Sequence, residues 1–270
     1  NVMLLASLPF YPLLSFLLLI IFGKKLSWQL AAIISVSAMA ISAGVSALLL
    51  LQLSPDETGD YSLGLAVDYM PTVLAQRPKV IAEINPEMPY TFGDTHVSAD
   101  QIDFAIPALA PPQTMAVARA KAVEQAVATN VAPLINDGAT VQYGIGSIPE
   151  SVLPCLLDRR NLRIHSGIIT DPIMPLLEDG VVREPVAAMA AGGSLDFYRF
   201  LHRNRQIEMR ASHYTHGFDT LSGIDGLVAI NSCLQIDLEG RVNAERTGKR
   251  IISAPGGQPD FAAGAQASNG

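Results

Sequence analysis

Asn136-Asp137-Gly138-Ala139-Thr140-Val141-Gln142-Tyr143-Gly144-Ile145-Gly146-Ser147-Ile148-Pro149 is the stretch that decides the fold. Thr140–Tyr143 reads as a strand, two glycines close it, and Pro149 suits the first turn of a following helix. A strand that passes through glycines into a helix is the repeating joint of a parallel α/β sheet. Glycines at such a joint let a ligand approach the backbone, and the free N–H groups of a helix start favour an anion, such as a pyrophosphate or a thioester oxygen. By itself, Gly-x-Gly fits a tight turn without a ligand equally well.

Outward from this joint the same alternation continues. Lys79–Ile84 is a short apolar strand candidate, and Gln113–Ile135 has helical periodicity with Arg119, Lys121 and Glu124 on its polar side. Beyond the joint, a helix is expected from Pro149 to about Arg160, a strand at Leu162–His165, a helix at Ser194–Asn204 and a strand at Ile207–Ala211. The pattern predicts an α/β fold, a mostly parallel sheet with flanking helices. The small, polar tail from Ala262 to Gly270 is expected to fray.

The first 53 residues are of different material. Asn1–Gly23 and Leu26–Leu53 carry no charged side chain, and each is long enough for a hydrocarbon core that needs about 20 apolar residues. They predict a transmembrane helical hairpin over residues 1–53, with Lys24-Lys25 in its cytoplasmic turn and Trp28 as an interfacial anchor. The polar run Ser54-Pro55-Asp56-Glu57-Thr58-Gly59-Asp60 is the natural boundary, and residues 54–270 form the α/β domain. Leu4–Leu53, with Pro9, Pro12 and Gly23-Lys24-Lys25, resembles the N-terminus of the large antiporter-like membrane subunit of respiratory complex I, so a fragment of such a subunit is the alternative identity.

Composition removes several classes. At 49% hydrophobic residues and a mean hydropathy of +0.30 the chain is too apolar to be disordered. The net charge is −7, and the two lysines of the first 53 residues leave −9 for the remainder, which offers no basic face to nucleic acid. Cys155 and Cys233 are too few and too far apart for a disulfide framework or a zinc site. His213 and His216 have no carboxylate or cysteine at ligand spacing, so no metal is expected.

Ser54-Pro55-Asp56-Glu57 with Asp60-Tyr61-Ser62-Leu63-Gly64, then Ile81–Pro89 with Phe92-Gly93-Asp94, resembles the acetyl-CoA hydrolase/CoA-transferase family, in its 4-hydroxybutyrate CoA-transferase-like branch. Gly144–Pro149, Ile164-His165-Ser166, Ile230-Asn231-Ser232, Val242–Glu245 and Gly256-Gly257-Gln258 with Asp260-Phe261 follow in the family's order. The resemblance implies coenzyme A as a substrate, an acyl-CoA and a small carboxylate as partners, a cytoplasmic enzyme domain, and a second copy of the chain as an admissible partner. It also implies that the Gly144, Ile145, Gly146 turn and the Gly256, Gly257, Gln258 turn face the thioester from two sides, with backbone N–H groups for the oxyanion. Family members carry long segments on both sides of the matched region, so a fusion or a fragment is expected here, with membrane sequence in front.

The resemblance further implies a glutamate nucleophile after the His-Ser pair, and here that position is Gly167. A second place where related sequences carry Glu is Gln235, whose amide can orient a water or a carbonyl but is a poor nucleophile. Three readings stay open. Water attacks the thioester with His165 or a nearby carboxylate as base; another acid such as Asp171 replaces the glutamate; or the domain binds CoA esters without turnover.

Overall fold

The computed structural model describes residues 48–116, 120–254 and 256–269. In chain order its first half runs β1 (Leu48–Pro55), β2 (Tyr61–Ser62), α1 (Met70–Leu74), β3 (Lys79–Ile84), β4 (Phe92–Gly93), β5 (His96–Val97), β6 (Phe104–Pro107), α2 (Ala122–Val131), β7 (Thr140–Tyr143) and α3 (Ser147–Val152). There follow β8 (Arg163–Ile169), α4 (Ile173–Glu178), β9 (Val186–Ala191), α5 (Leu195–Leu201), β10 (Ile207–Met209), α6 (Ser212–Thr215), α7 (Phe218–Ser222) and β11 (Leu227–Ile230). Two small hairpins, β12 (Gln235–Ile236) with β13 (Val242–Asn243) and β14 (Arg246–Thr247) with β15 (Arg250–Ile251), precede α8 (Gln258–Ala267).

The larger sheet has the order β11-β7-β8-β9-β10-β4, and each neighbouring pair is parallel. A second sheet, β5-β2-β1-β3-β6, is parallel through β1, β3 and β6 and antiparallel where β2 and β5 join it. The segment after β2 ties the sheets together: Val67 N donates to Met189 O at 3.0 Å, and Ala191 N donates to Leu65 O at 2.7 Å. One core spans both, with Leu53, Val80 and Ala82 from the smaller sheet in the same cluster as Tyr143, Ile164 and Phe197 from the larger. The expected α/β architecture is therefore present, and the parallel portion is the larger sheet.

The expected boundary between residues 53 and 54 falls inside a strand. Leu48 to Leu53 pair residue for residue with Lys79 to Ile84, and β1 is the central strand of its sheet. Leu53 is fully buried. A strand covered on both faces is apolar throughout, so Leu-Leu-Leu-Leu-Gln-Leu has the same composition whether it crosses a bilayer or lies in a core. The rest of the expected hairpin, including Trp28 and the Lys24-Lys25 turn, lies outside the described residues. Among the described residues no helix is long and apolar enough to cross a membrane.

Other differences have local causes. The helix expected over Gln113–Ile135 is only Ala122–Val131, because Met115 N donates to Gly193 O at 2.9 Å and Gln113 O accepts from Tyr198 Oη at 2.7 Å, which holds the preceding segment against the larger sheet. Strand β8 runs on to Ile169, beyond the expected end at His165, since Ile168 and Ile169 continue the ladder opposite Ala190 and Ala191. The helix begun by Ser194, whose hydroxyl accepts from Phe197 N, ends at Leu201 where His202 turns extended. The tail does not fray: α8 buries Phe261 and packs Gly264 against Leu221 of α7.

Candidate functional site

In open parallel sheets the ligand crevice lies beyond the carboxyl ends of the strands. A cleft of about 510 Å³ occupies that place here. Tyr143 and Gly144 close β7 on one side, Gly167 and Ile168 form its β8 wall, and Asn231 stands just after β11. The start of α8 closes it with Gly256, Gly257, Gln258 and Phe261. Thus Gly144 and Ile145 of the first turn named from the sequence and Gly256, Gly257 and Gln258 of the second, distant along the chain, line one cavity.

Within the first turn the donors are not equivalent. Gly144 N continues the β7 to β11 ladder by donating to Ile230 O at 2.8 Å, and Gly146 N donates inward to Glu150 Oε1 at 3.0 Å. Neither is free for an oxyanion. Ile145 lines the cleft, and its N–H has no acceptor among the described residues. Gly144 is required by packing, because a Cβ there would meet Asn231 Oδ1 at 2.9 Å. That asparagine is itself held by a reciprocal amide pair: its Nδ2 donates to Gln142 Oε1 at 2.8 Å, and Gln142 Nε2 donates back at 3.3 Å. Gly146 takes φ +117°, which a side chain rarely adopts, and does not line the cleft.

Glu150, a buried carboxyl on α3, braces this turn from beneath. Burial pushes its pKa above the ordinary 4.5, and the negative charge of Asp171 adds to the rise, while the hydrogen bond from Gly146 N opposes it. A raised folded-state pKa means that the folded chain binds the proton more tightly than the unfolded one. Its stabilising contribution is full below 4.5 and is lost as pH rises through the folded value. Glu150→Gln, which keeps an acceptor for Gly146, should therefore lose less stability than the parent as pH is raised above 4.5 in denaturant titrations. Parallel slopes for the two chains would show that the carboxyl ionises freely.

Opposite the turn, the β8 wall is bare backbone at Gly167. His216, just after α6, covers it: a Cβ at 167 would lie 3.1 Å from His216 Nε2, and a Cβ at 257 would lie 2.5 Å from the same atom. The Phe261 ring packs on the imidazole at 4.8 Å. Burial lowers the His216 pKa from 6.5, with Asp260 and Asp68 pulling the other way. Gly257 also accepts from Phe261 N, so this glycine starts α8 as well as making room for the imidazole.

The remaining residues expected in the site lie elsewhere. His165 is buried beneath α6 with Nε2 3.0 Å from Thr215 O, and it does not line the cleft. Its position is two residues back along β8 from Gly167, on the same face but below the crevice. Gln235 is exposed in the β12–β13 hairpin, its Oε1 accepts from Asn243 Nδ2 at 2.8 Å, and it does not line the cleft. Both Asp171 oxygens accept from Ser194 N, at 3.0 and 3.3 Å, and the carboxylate also takes the Ser194 hydroxyl. It is spent on holding the start of α5. The amide roles of Gln142 and Asn231 were not marked by the sequence, and His216, weighed there only as a metal ligand, has no local spacing that marks it for this cleft.

Known proteins resemble this chain over most of its length. Residues 193–270 match the acetyl-CoA hydrolase/transferase C-terminal domain. The chain is 37% identical to the 4-hydroxybutyrate coenzyme A transferase of Clostridium kluyveri over 82% of its own length and 54% of that protein's. It is 32% identical to the succinyl-CoA:cyclohexane-1-carboxylate CoA transferase of Geobacter metallireducens, over 80% of this chain and 51% of the relative. Among solved structures, RipA from Yersinia pestis superposes with a TM-score of 0.77 at 30% identity, covering 82% of this chain and 53% of that one. The 4-hydroxybutyrate CoA-transferase of Porphyromonas gingivalis gives 0.73 at 31% identity, over 82% and 56%. The chain spans about half the length of the curated relatives it matches. These findings lend no support to the likeness between residues 4–53 and a complex I membrane subunit, which rested on apolar composition with Pro9, Pro12 and Gly23-Lys24-Lys25.

Proposed function

The chain belongs to the acetyl-CoA hydrolase/CoA-transferase family, and from that membership we propose that its cleft binds the acyl-CoA thioester of a small carboxylic acid and transfers the acyl group to water. The observation that carries this reading is Gly167, a backbone wall with no side chain at the centre of the crevice. A carboxylate there would accept the acyl group and then CoA, which is what transfer between two acids through a covalent enzyme needs. Without it, the acyl carbonyl is open to direct attack by water. Ile145 N–H supplies the oxyanion donor, and a pre-aimed backbone donor stabilises the tetrahedral intermediate without reorganising. Ile168, Leu234 and Phe261 give the acyl end an apolar lining. A CoA-ester substrate places the domain with the cytoplasmic CoA pool.

Ala254 is exposed and lines the cleft, so Ala254→Trp should fill the crevice without disturbing the core. Calorimetry with acetyl-CoA is expected to show at least about a tenfold loss of affinity, about 1.4 kcal/mol. Equal affinity in parent and variant would move the acyl-CoA site elsewhere.

A further inference from the structure

Gly167 and Gly257 come from β8 and from the start of α8, and they make room for one imidazole. Phe261 clamps it from the side. On the other edge His216 Nδ1 lies 2.9 Å from Thr215 Oγ1. Thr215 is fully buried, and its Oγ1 also lies 3.4 Å from Ala211 O; with the hydroxyl proton on that side, Oγ1 accepts from Nδ1–H. In that tautomer Nε2 carries the lone pair, and it has no hydrogen-bond partner among the described residues. His216 lines the cleft.

We propose that His216 is the general base of thioester hydrolysis, acting from the space a nucleophilic side chain at position 167 would otherwise enter. This rests on the acyl-CoA reading above. Water approaches the acyl carbonyl; as its oxygen bonds to the carbonyl carbon, one proton passes to Nε2 and the carbonyl oxygen becomes an oxyanion. The oxyanion collapses, the carbon–sulfur bond breaks, and the departing CoA sulfur takes the proton back from Nε2. The products are the free acid and CoA thiol, with the imidazole neutral again.

The groups facing His216 are Asp260 from α8, Asp68 from the loop ahead of α1, and His165 from β8. Burial outweighs the two carboxylates and keeps the imidazole neutral to below pH 6.5. A base works only in its neutral form, so the rate should rise with pH and level off with a midpoint below that value.

The test uses the whole chain with acetyl-CoA, following CoA release with a thiol reagent and acetyl-CoA affinity by calorimetry. His216→Gln keeps a polar side chain of similar reach; it is expected to lower kcat about 100- to 10,000-fold, to erase the pH midpoint, and to retain affinity. Retained affinity also reports that the variant is folded. An unchanged kcat in His216→Gln would overturn the proposal, and so would a parent chain that binds acetyl-CoA without releasing CoA, which leaves the binding cleft standing. An acylated Cys233, found by mass spectrometry in the same cleft, would overturn it as well. A parent chain that does not bind acetyl-CoA would instead bring down the acyl-CoA reading itself.

Discussion

Leu53→Ala is expected to destabilise the protein by about 2–5 kcal/mol, and Leu53→Asp to prevent folding. Leu53 is fully buried near the end of β1, the strand that carries β2 on one side and β3 on the other. Removing its side chain leaves a cavity between two sheets that share one core, and neighbours held in ladders on both sides cannot collapse into it. An aspartate at the same place would be a charge with no partner in the cluster. Denaturant unfolding of the full chain measures both effects. The experiment also separates the two readings of this segment, because a leucine facing lipid could be cut back without moving the unfolding midpoint. An unshifted midpoint for Leu53→Ala would take β1 out of the core.

Gly167→Glu should acquire a covalent chemistry that the parent lacks. The new side chain would leave β8 into the cleft, its Cβ 3.1 Å from His216 Nε2 and 3.2 Å from Cε1. Those distances are tight, so the imidazole has to give by a few tenths of an ångström and direct hydrolysis should slow. The carboxylate can then attack an acyl-CoA, expel CoA as an enzyme-bound anhydride forms, and be attacked by that CoA with release of the acid. The resulting glutamyl-CoA thioester is visible in the intact mass after incubation with acetyl-CoA. It is expected on the variant alone; the same adduct on the parent chain would place a nucleophile elsewhere in the cleft.

Part of this protein is legible from its residues in order. Strand Thr140–Tyr143, the glycine turn after it, strand Lys79–Ile84 and the helix capped by Ser194 are local features, set by alternation, by turn chemistry and by one side-chain cap, and each appears where the sequence places it. The family motifs are equally local, and they brought Gly144, Gly167 and Gly257 to notice before any fold was known.

What tertiary structure alone decided are matters of partnership. Leu48–Leu53 is as apolar as a membrane segment, and only pairing with Lys79–Ile84 makes it a strand, because hydrophobicity reports burial and does not say what does the burying. His165 carries the expected chemistry next to the expected position, yet packing turned its Nε2 to a backbone carbonyl beneath α6. His216 stands in no motif. It meets the cleft because β8, the end of α6 and the start of α8 converge, and because two glycines far apart in the chain leave the volume of one imidazole between them. Short-range periodicity carries no record of such a convergence; the packing of the whole core sets it.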